Sequence, residues 1–255
     1  MMALRATGWF LASLVVGAGL VVLWHSVVSA GFVSPVFLPP PGRAWTALVN
    51  GFTRGALAEQ LLATIGRMIY GWLLASLVGV ALGTLIGTSR AAIVYLGPTL
   101  EMIRPLPASA IIPVAIAFLG LTEQMAIAVI AFGALWPMLL ATVHGFAAVE
   151  PQLYELSRAL GLKRWEVILK IGLPSAMPDI LAGMRVGLTI ALILAIVAEM
   201  LASRPGLGHS VLLAARSFRS PDLYAGVILL GIVGYVSAAA LAAFETRLLR
   251  WRVPH

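Results

Sequence analysis

Residues 150–179 read EPQLYELSRALGLKRWEVILKIGLPSAMPD, and their polarity sets them apart from a chain that is otherwise apolar on both sides. Glu150, Glu155, Glu166 and Asp179 alternate here with Arg158, Lys163, Arg164 and Lys170. Pro151 suits the first turn of a helix, where its missing N–H costs nothing. Leu153, Leu156 and Leu160 then fall on one face at i, i+3 and i+7, while Glu155 and Arg158 point elsewhere. Gly161 ends that helix, because glycine accepts the left-handed conformation that commonly follows a helix terminus. A second short helix is expected from near Lys163, with Trp165, Ile168 and Leu169 on its apolar side and Pro174 and Pro178 as its stop. Such a helix–turn–helix, flanked by apolar runs, belongs in water at a membrane face. Periodicity leaves two uses for it: a hydrophobic knob with a charged rim for a groove on another protein, or an interfacial hairpin packed under its own bundle.

The flanks make the membrane assignment. Of 255 residues, 61% are hydrophobic and 11% charged, with a mean hydropathy of +1.01, whereas soluble domains are roughly 45–50% apolar and about 25% charged. The apolar runs are uninterrupted over lengths near the ~20 residues that cross a bilayer as a helix. They lack the alternation of a membrane β-barrel, so the fold is all-α. The net charge of +7 comes from bases scattered singly along the chain. That is membrane topology, not the basic stripe of a nucleic-acid binder. With no cysteine, disulfides, thiolate metal sites and a cysteine nucleophile are excluded.

Working outward, six spans are expected in one domain covering the whole chain. An apolar run of about 22 residues from Trp9 to Ala30 follows Arg5. It is longer than the ~7–15-residue core of a signal peptide and reads as a retained, peripheral first span, with cleavage at Ser29-Ala30-Gly31 as the alternative. The cluster Pro35 to Gly42 ends it, and Arg43 to Glu59 reads as a surface helix. The second span runs from Met68 to Ser89, with Arg67 snorkelling at its start. Within it Gly79, Gly83 and Gly87 recur every four residues, a face for close helix packing. Arg90 to Arg104 reads as a connector. Pro105-Leu106-Pro107 through Pro113 then opens the third span, either as a broken helix beside a pathway or as a simple kink. The fourth span runs from about Gln124 to Val143 and the fifth from Ile180 to Ala202. Ser203 to Asp222 is a polar connector, and the sixth span is Leu223 to Phe244.

With the amino terminus inside, eleven bases fall on the loop's side and six, Arg67 among them, on the other. This bias places both termini and residues 150–179 in the cytoplasm. Glu199, counted along the fifth span at 1.5 Å per residue, lies near the outer surface, either bordering a pathway or as an interfacial structural carboxylate. Arg185 snorkels at the inner surface. Arg104 and Arg204 either attract an anion or are hydrated loop residues. His25, His144, His209 and His255 lack the pairing of a helical zinc site, and no G-x4-G-K-[ST] phosphate loop is present. A secondary transporter would show paired broken helices in two halves; an intramembrane hydrolase would need a nucleophile beside a base. The sequence displays neither.

The positions Glu155, Gly161, Ile171, Leu173 and Pro174 keep the spacing E-x5-G-x9-I-x-L-P, which resembles the cytoplasmic EAA loop of bacterial ABC-importer permeases. Leu156 and Ser157 stand where the name-giving alanines would be. VFLPPP at 36–41, RPLPASAIIP at 104–113, GMRVGL at 183–188 and AEMLASRPGLG at 198–208 look like the nitrate/sulfonate/taurine/bicarbonate subfamily. The resemblance implies a type I, MetI-like permease fold in a bacterial inner membrane. It implies ATPase coupling through Glu155, Leu156, Ala159, Leu160, Gly161, Ile171, Leu173 and Pro174; the residues themselves, not the resemblance, make Glu199, Arg104 and Pro107 the candidate pathway. The implied partners are a cytoplasmic ABC ATPase dimer carrying ATP and Mg, a second copy of the chain, an extracytoplasmic substrate-binding protein and membrane lipid. No cofactor is expected on this chain, no metal, and no catalysis.

Overall fold

The structure, a computed structural model, describes residues 2–103 and 105–249; Arg104, Arg250, Arg252 and His255 lie outside the described residues. Every regular element described is helical: α1 (Met2–Ser29), α2 (Pro41–Thr53), α3 (Leu57–Gly87), α4 (Arg90–Ile103), α5 (Ile112–Leu119), α6 (Glu123–Ala147), α7 (Pro151–Ala159), α8 (Arg164–Val167), α9 (Leu173–Leu201), α10 (Leu207–Arg216) and α11 (Ser220–Leu248). Four helical runs are long and apolar enough to cross a membrane: 57–87, 123–147, 164–201 and 220–248. A fifth follows if α4 and the 108–119 segment, bent by 76°, count as one broken span. The apolar part of α1, Val15–Ser29, stands outside the packed centre with Val16, Leu20 and Leu23 exposed.

At the centre α3, α6 and α9 pack together, with Met68, Ile130, Ala134, Met138, Leu188, Ala191 and Leu194 buried between them. Lipid tails are as apolar as leucine, so such helices associate through close van der Waals fit and not through hydrophobic burial. The glycine face provides that fit. A Cβ on Gly79 would stand 3.1 Å from the Leu135 carbonyl oxygen, one on Gly83 2.6 Å from Thr142 Cβ, and one on Gly87 2.8 Å from Phe146 Cβ. From the other side α9 uses Gly183, whose Cβ would lie 2.7 Å from the Pro137 carbonyl oxygen. The Trp72 indole N–H adds a cross-link, donating to the Met184 carbonyl at 2.9 Å.

Several expectations from sequence need correction. The second span begins at Leu57 and not at Met68, so Arg67 lies inside α3 and is buried instead of snorkelling. Residues 90–103 are helix α4 and not a connector. The 203–222 connector contains helix α10. Pro174 and Pro178 do not stop the second loop helix; it runs on through a π turn at Ile168–Gly172 into α9. In that turn the Leu173 N–H reaches back five residues to the Ile168 carbonyl. The backbone is thus widened where Pro174 has no N–H to give and its ring would crowd the preceding turn.

Candidate functional site

The loop divides into an exposed tip and a buried root. At the tip, α7 opens with Pro151 in its first turn and closes in a Schellman motif, the Leu162 N–H bonding the Ser157 carbonyl at 3.0 Å and the Gly161 N–H the Arg158 carbonyl at 3.1 Å. Gly161 has φ +65°, the left-handed region, and nothing approaches the place of its missing side chain. The next helix is capped by Glu166, whose carboxylate accepts the Lys163 N–H at 2.9 Å and pairs with Lys170 Nζ at 2.9 Å. Four apolar side chains on this capped turn are more than half exposed: Leu156, Leu160 (65% exposed), Trp165 (58% exposed) and Leu169. Glu155, Arg158 and Ala159 are exposed around them. Ile168, expected with Trp165 and Leu169 on one apolar face, turns inward instead.

The root is locked to the bundle. Phe146 of α6, Ala176 and Ile180 of α9 form a buried cluster, with Ile168 and Leu173 packed against it. Gly172 lets the Phe146 ring sit on the backbone; a Cβ there would lie 2.5 Å from the ring. Ile171 is partly buried, and Pro174 stands in the first turn of α9. Ser157, in place of a second alanine, is buried and donates to the Tyr154 carbonyl at 2.7 Å. The Tyr154 hydroxyl in turn reaches the Phe146 carbonyl at 3.4 Å, and burial raises its pKa above the usual phenol range, so it stays a neutral donor.

At the opposite end lies a polar cluster. Glu199, 0% exposed, accepts from Arg67 Nη1 at 2.7 Å, from the Thr64 hydroxyl at 2.8 Å and from the Gly208 N–H at 2.8 Å. Arg67, 5% exposed, also pairs through Nε with Glu123 at 2.7 Å and donates to the Pro205 carbonyl at 2.7 Å. Arg204 adds a second cation to Glu123 at 3.0 Å. Two arginines and two glutamates thereby tie α3, α6 and α9 to the turn that starts α10. Gly206 and Gly208 close over the pair: a Cβ on Gly206 would stand 2.3 Å from the Glu199 carboxyl carbon. Glu199 is therefore enclosed by its own partners within the chain, and Arg204 is ion-paired. Arg185, expected to snorkel, pairs with Glu245 of α11. Sequence reasoning missed Arg67 as a partner because 132 residues separate it from Glu199.

The broken span carries the remaining candidate. Pro107, exposed, precedes a 3-10 turn at Ala108–Ile111. Ala108 packs where a Cβ on Gly133 would stand 2.8 Å away, in the body of α6 and not at its end. Non-helical backbone at that depth is tolerated where it is covered by protein or lines a water-filled cavity.

Comparisons with known proteins agree with this arrangement. The family model described as binding-protein-dependent transport system inner membrane component matches residues 75–252. A putative aliphatic sulfonates transport permease protein SsuC of Bacillus subtilis (strain 168) is 33% identical over 245 residues, covering 96% of this chain and 88% of that protein. The taurine transport system permease protein TauC of Escherichia coli (strain K12) is 29% identical, covering 92% and 87%. Among solved structures, the inward-facing MetNI methionine ABC transporter shares the fold, with a TM-score of 0.66 at 19% identity over 78% of this chain and 96% of that one. With its loop, its glycine-packed bundle and a family match over most of its length, the chain belongs to the binding-protein-dependent transport system inner membrane components: it is a multi-pass, non-catalytic permease subunit of an ABC importer, whose ATP hydrolysis is the work of a partner ATPase.

Proposed function

We propose that two copies of this chain form the passage of the importer, each seating its 150–174 loop in a groove of one subunit of a cytoplasmic ATPase dimer that holds ATP and Mg. Loop and both termini face the cytoplasm of a bacterial inner membrane, in keeping with eleven bases on that side against six on the other. The observation that carries this reading is the exposed apolar tip on a locked root. Leu156, Ala159 and Leu160 present the knob, Glu155 its charged rim and Gly161 the turn that shapes it. Ile171, Leu173 and Pro174 fasten it to α9. A tip joined this firmly to Phe146 and Ala176 cannot move without α6 and α9. Closure of the ATPase pair on ATP swings those helices so that the central cavity faces outward; hydrolysis restores the inward opening. An extracytoplasmic binding protein delivers the solute, and the break at Pro107 borders its route. The names of the relatives support a small anion of the sulfonate, taurine or nitrate class, and the sequence resemblance adds bicarbonate to it.

The test is ATP-driven uptake in vesicles holding the complete importer. Glu155→Lys reverses the rim charge. Gly161→Val forces a β-branched residue into the left-handed region, at about 1–2 kcal/mol. A reversed charge set against a complementary surface costs several kcal/mol and the strained turn about 1–2 kcal/mol, so solute moved per ATP is expected to fall roughly tenfold or more in each variant. Uptake at the wild-type ratio in both would refute the assignment.

A further inference from the structure

A second feature of the loop faces the opposite way. Between the α3–α4 corner and the inner side of α7 lies a cavity of about 980 Å³, some thirty times the ≈30 Å³ that one water occupies in the liquid. Three guanidinium groups line it, Arg90, Arg158 and Arg164, against one carboxylate, Glu155. The described ion pairs of basic side chains with carboxylates engage Arg67, Arg185, Arg204, Arg219, Lys170 and His144, and none of these three arginines. The first turns of α4 and α7 border the same space and add the positive ends of two helix dipoles. Val94, Phe146 and Ile168 add apolar wall to the same lining. The cavity is thus too large for a lone ion and combines guanidinium groups with apolar wall.

We propose that this cavity holds an anionic phospholipid of the adjoining leaflet, its phosphate between Arg90 and Arg164 and its glycerol and first acyl carbons on the apolar wall. Basic pockets between transmembrane helices at a membrane face recognise phosphate headgroups in this way, and arginine binds a phosphate with two parallel N–H bonds. The site is distinct from the tip. Tyr154, Ser157 and Arg158 line the cavity, Glu155 stands at the edge between cavity and tip, and the exposed Leu156 and Leu160 lie outside the lining. Lipid and ATPase therefore occupy α7 at the same time. The lipid braces the tip from behind, so that force on α7 passes to α6 and α9.

The experiment uses the full permease–ATPase complex equilibrated with mixed vesicles of phosphatidylglycerol and phosphatidylcholine, then washed in detergent, with retained lipid quantified by class. Wild type is expected to retain phosphatidylglycerol over phosphatidylcholine. Each basic group near an anionic surface contributes about fivefold, so the double variant Arg90→Gln/Arg164→Gln is expected to lose roughly thirtyfold of that preference. Arg90→Lys/Arg164→Lys, which keeps both charges, should retain most of it and guards against a misfolded variant. Lys163→Gln/Lys170→Gln, on loop residues outside the cavity lining, should leave it unchanged. Equal retention of both lipids by wild type, or the same preference in the glutamine double variant, would overturn the proposal. So would loss of preference in the lysine-neutralised control. Displacement of phosphatidylglycerol by inorganic phosphate would make the site one for a soluble ion instead, and retention by the permease alone but not by the complex would make the cavity part of the docking groove; either outcome also overturns it. Because the readout is retained lipid, a failure here leaves the uptake test of the loop standing.

Discussion

Glu199→Ala is expected to lower the stability of the solubilised permease by about 3–5 kcal/mol, the range for stripping one partner from a buried ion pair. The geometry explains the size. Arg67 is 5% exposed and would keep its charge with only Glu123 and a carbonyl to hold it. The Gly208 N–H would lose its acceptor inside the bundle, where an unmet polar group carries its full desolvation cost, and the Thr64 hydroxyl would fall back on the Gln60 carbonyl at 3.1 Å. Arg67→Ala should be comparably harmful. The double variant Arg67→Met/Glu199→Leu should recover most of the loss, since replacing a buried pair by apolar groups of similar volume is often neutral or better. Thermal unfolding of the purified complex, followed by the amount remaining soluble and monodisperse, reads all three. Single variants that melt with wild type would show that the four-residue cluster contributes nothing to the fold.

Gly83→Leu should prevent normal assembly of the bundle. Its Cβ alone would lie 2.6 Å from Thr142 Cβ and 2.8 Å from the Leu139 carbonyl oxygen. Backbone cannot swing aside as a flexible side chain does, so α3 must part from α6. Overpacking in a close-fitted core costs about 1–3 kcal/mol and sometimes more. Within a membrane that loss has no compensating hydrophobic term, because separated helices simply meet lipid. Gly231, where a Cβ meets nothing within 4 Å, is the control: Gly231→Ala should melt at or above the wild-type temperature. A Gly83→Leu protein that accumulates and melts like this control would mean that α3 and α6 are not held by the glycine face.

These two sites differ in how far the sequence revealed them. The glycines announce themselves by spacing, since three in a row at intervals of four can only share one helix face, and the partner they meet is the neighbouring long apolar helix. The Arg67–Glu199 pair leaves no such trace. Each residue looks like a helix-end charge beside an apolar run, and snorkelling is the natural reading for a long cationic side chain. Only the approach of α3 to α9 turns two such charges toward each other. The prolines mislead for a related reason: Pro174 and Pro178 carry the ordinary signal of a helix stop, and the signal is overridden by a π turn anchored on Phe146 and Gly172.

What the residues determined unaided was the membrane class, the long apolar runs, the glycine face and the capped turn at Gly161, because each depends on neighbours within a turn or two along the chain. The tertiary structure alone decided that Glu199 is enclosed, that the tip of the loop stands bare while its root is fastened, and that three arginines gather around one cavity. Those outcomes depend on which surfaces of distant helices meet, and the free energy of such meetings is shared among contacts far apart in sequence.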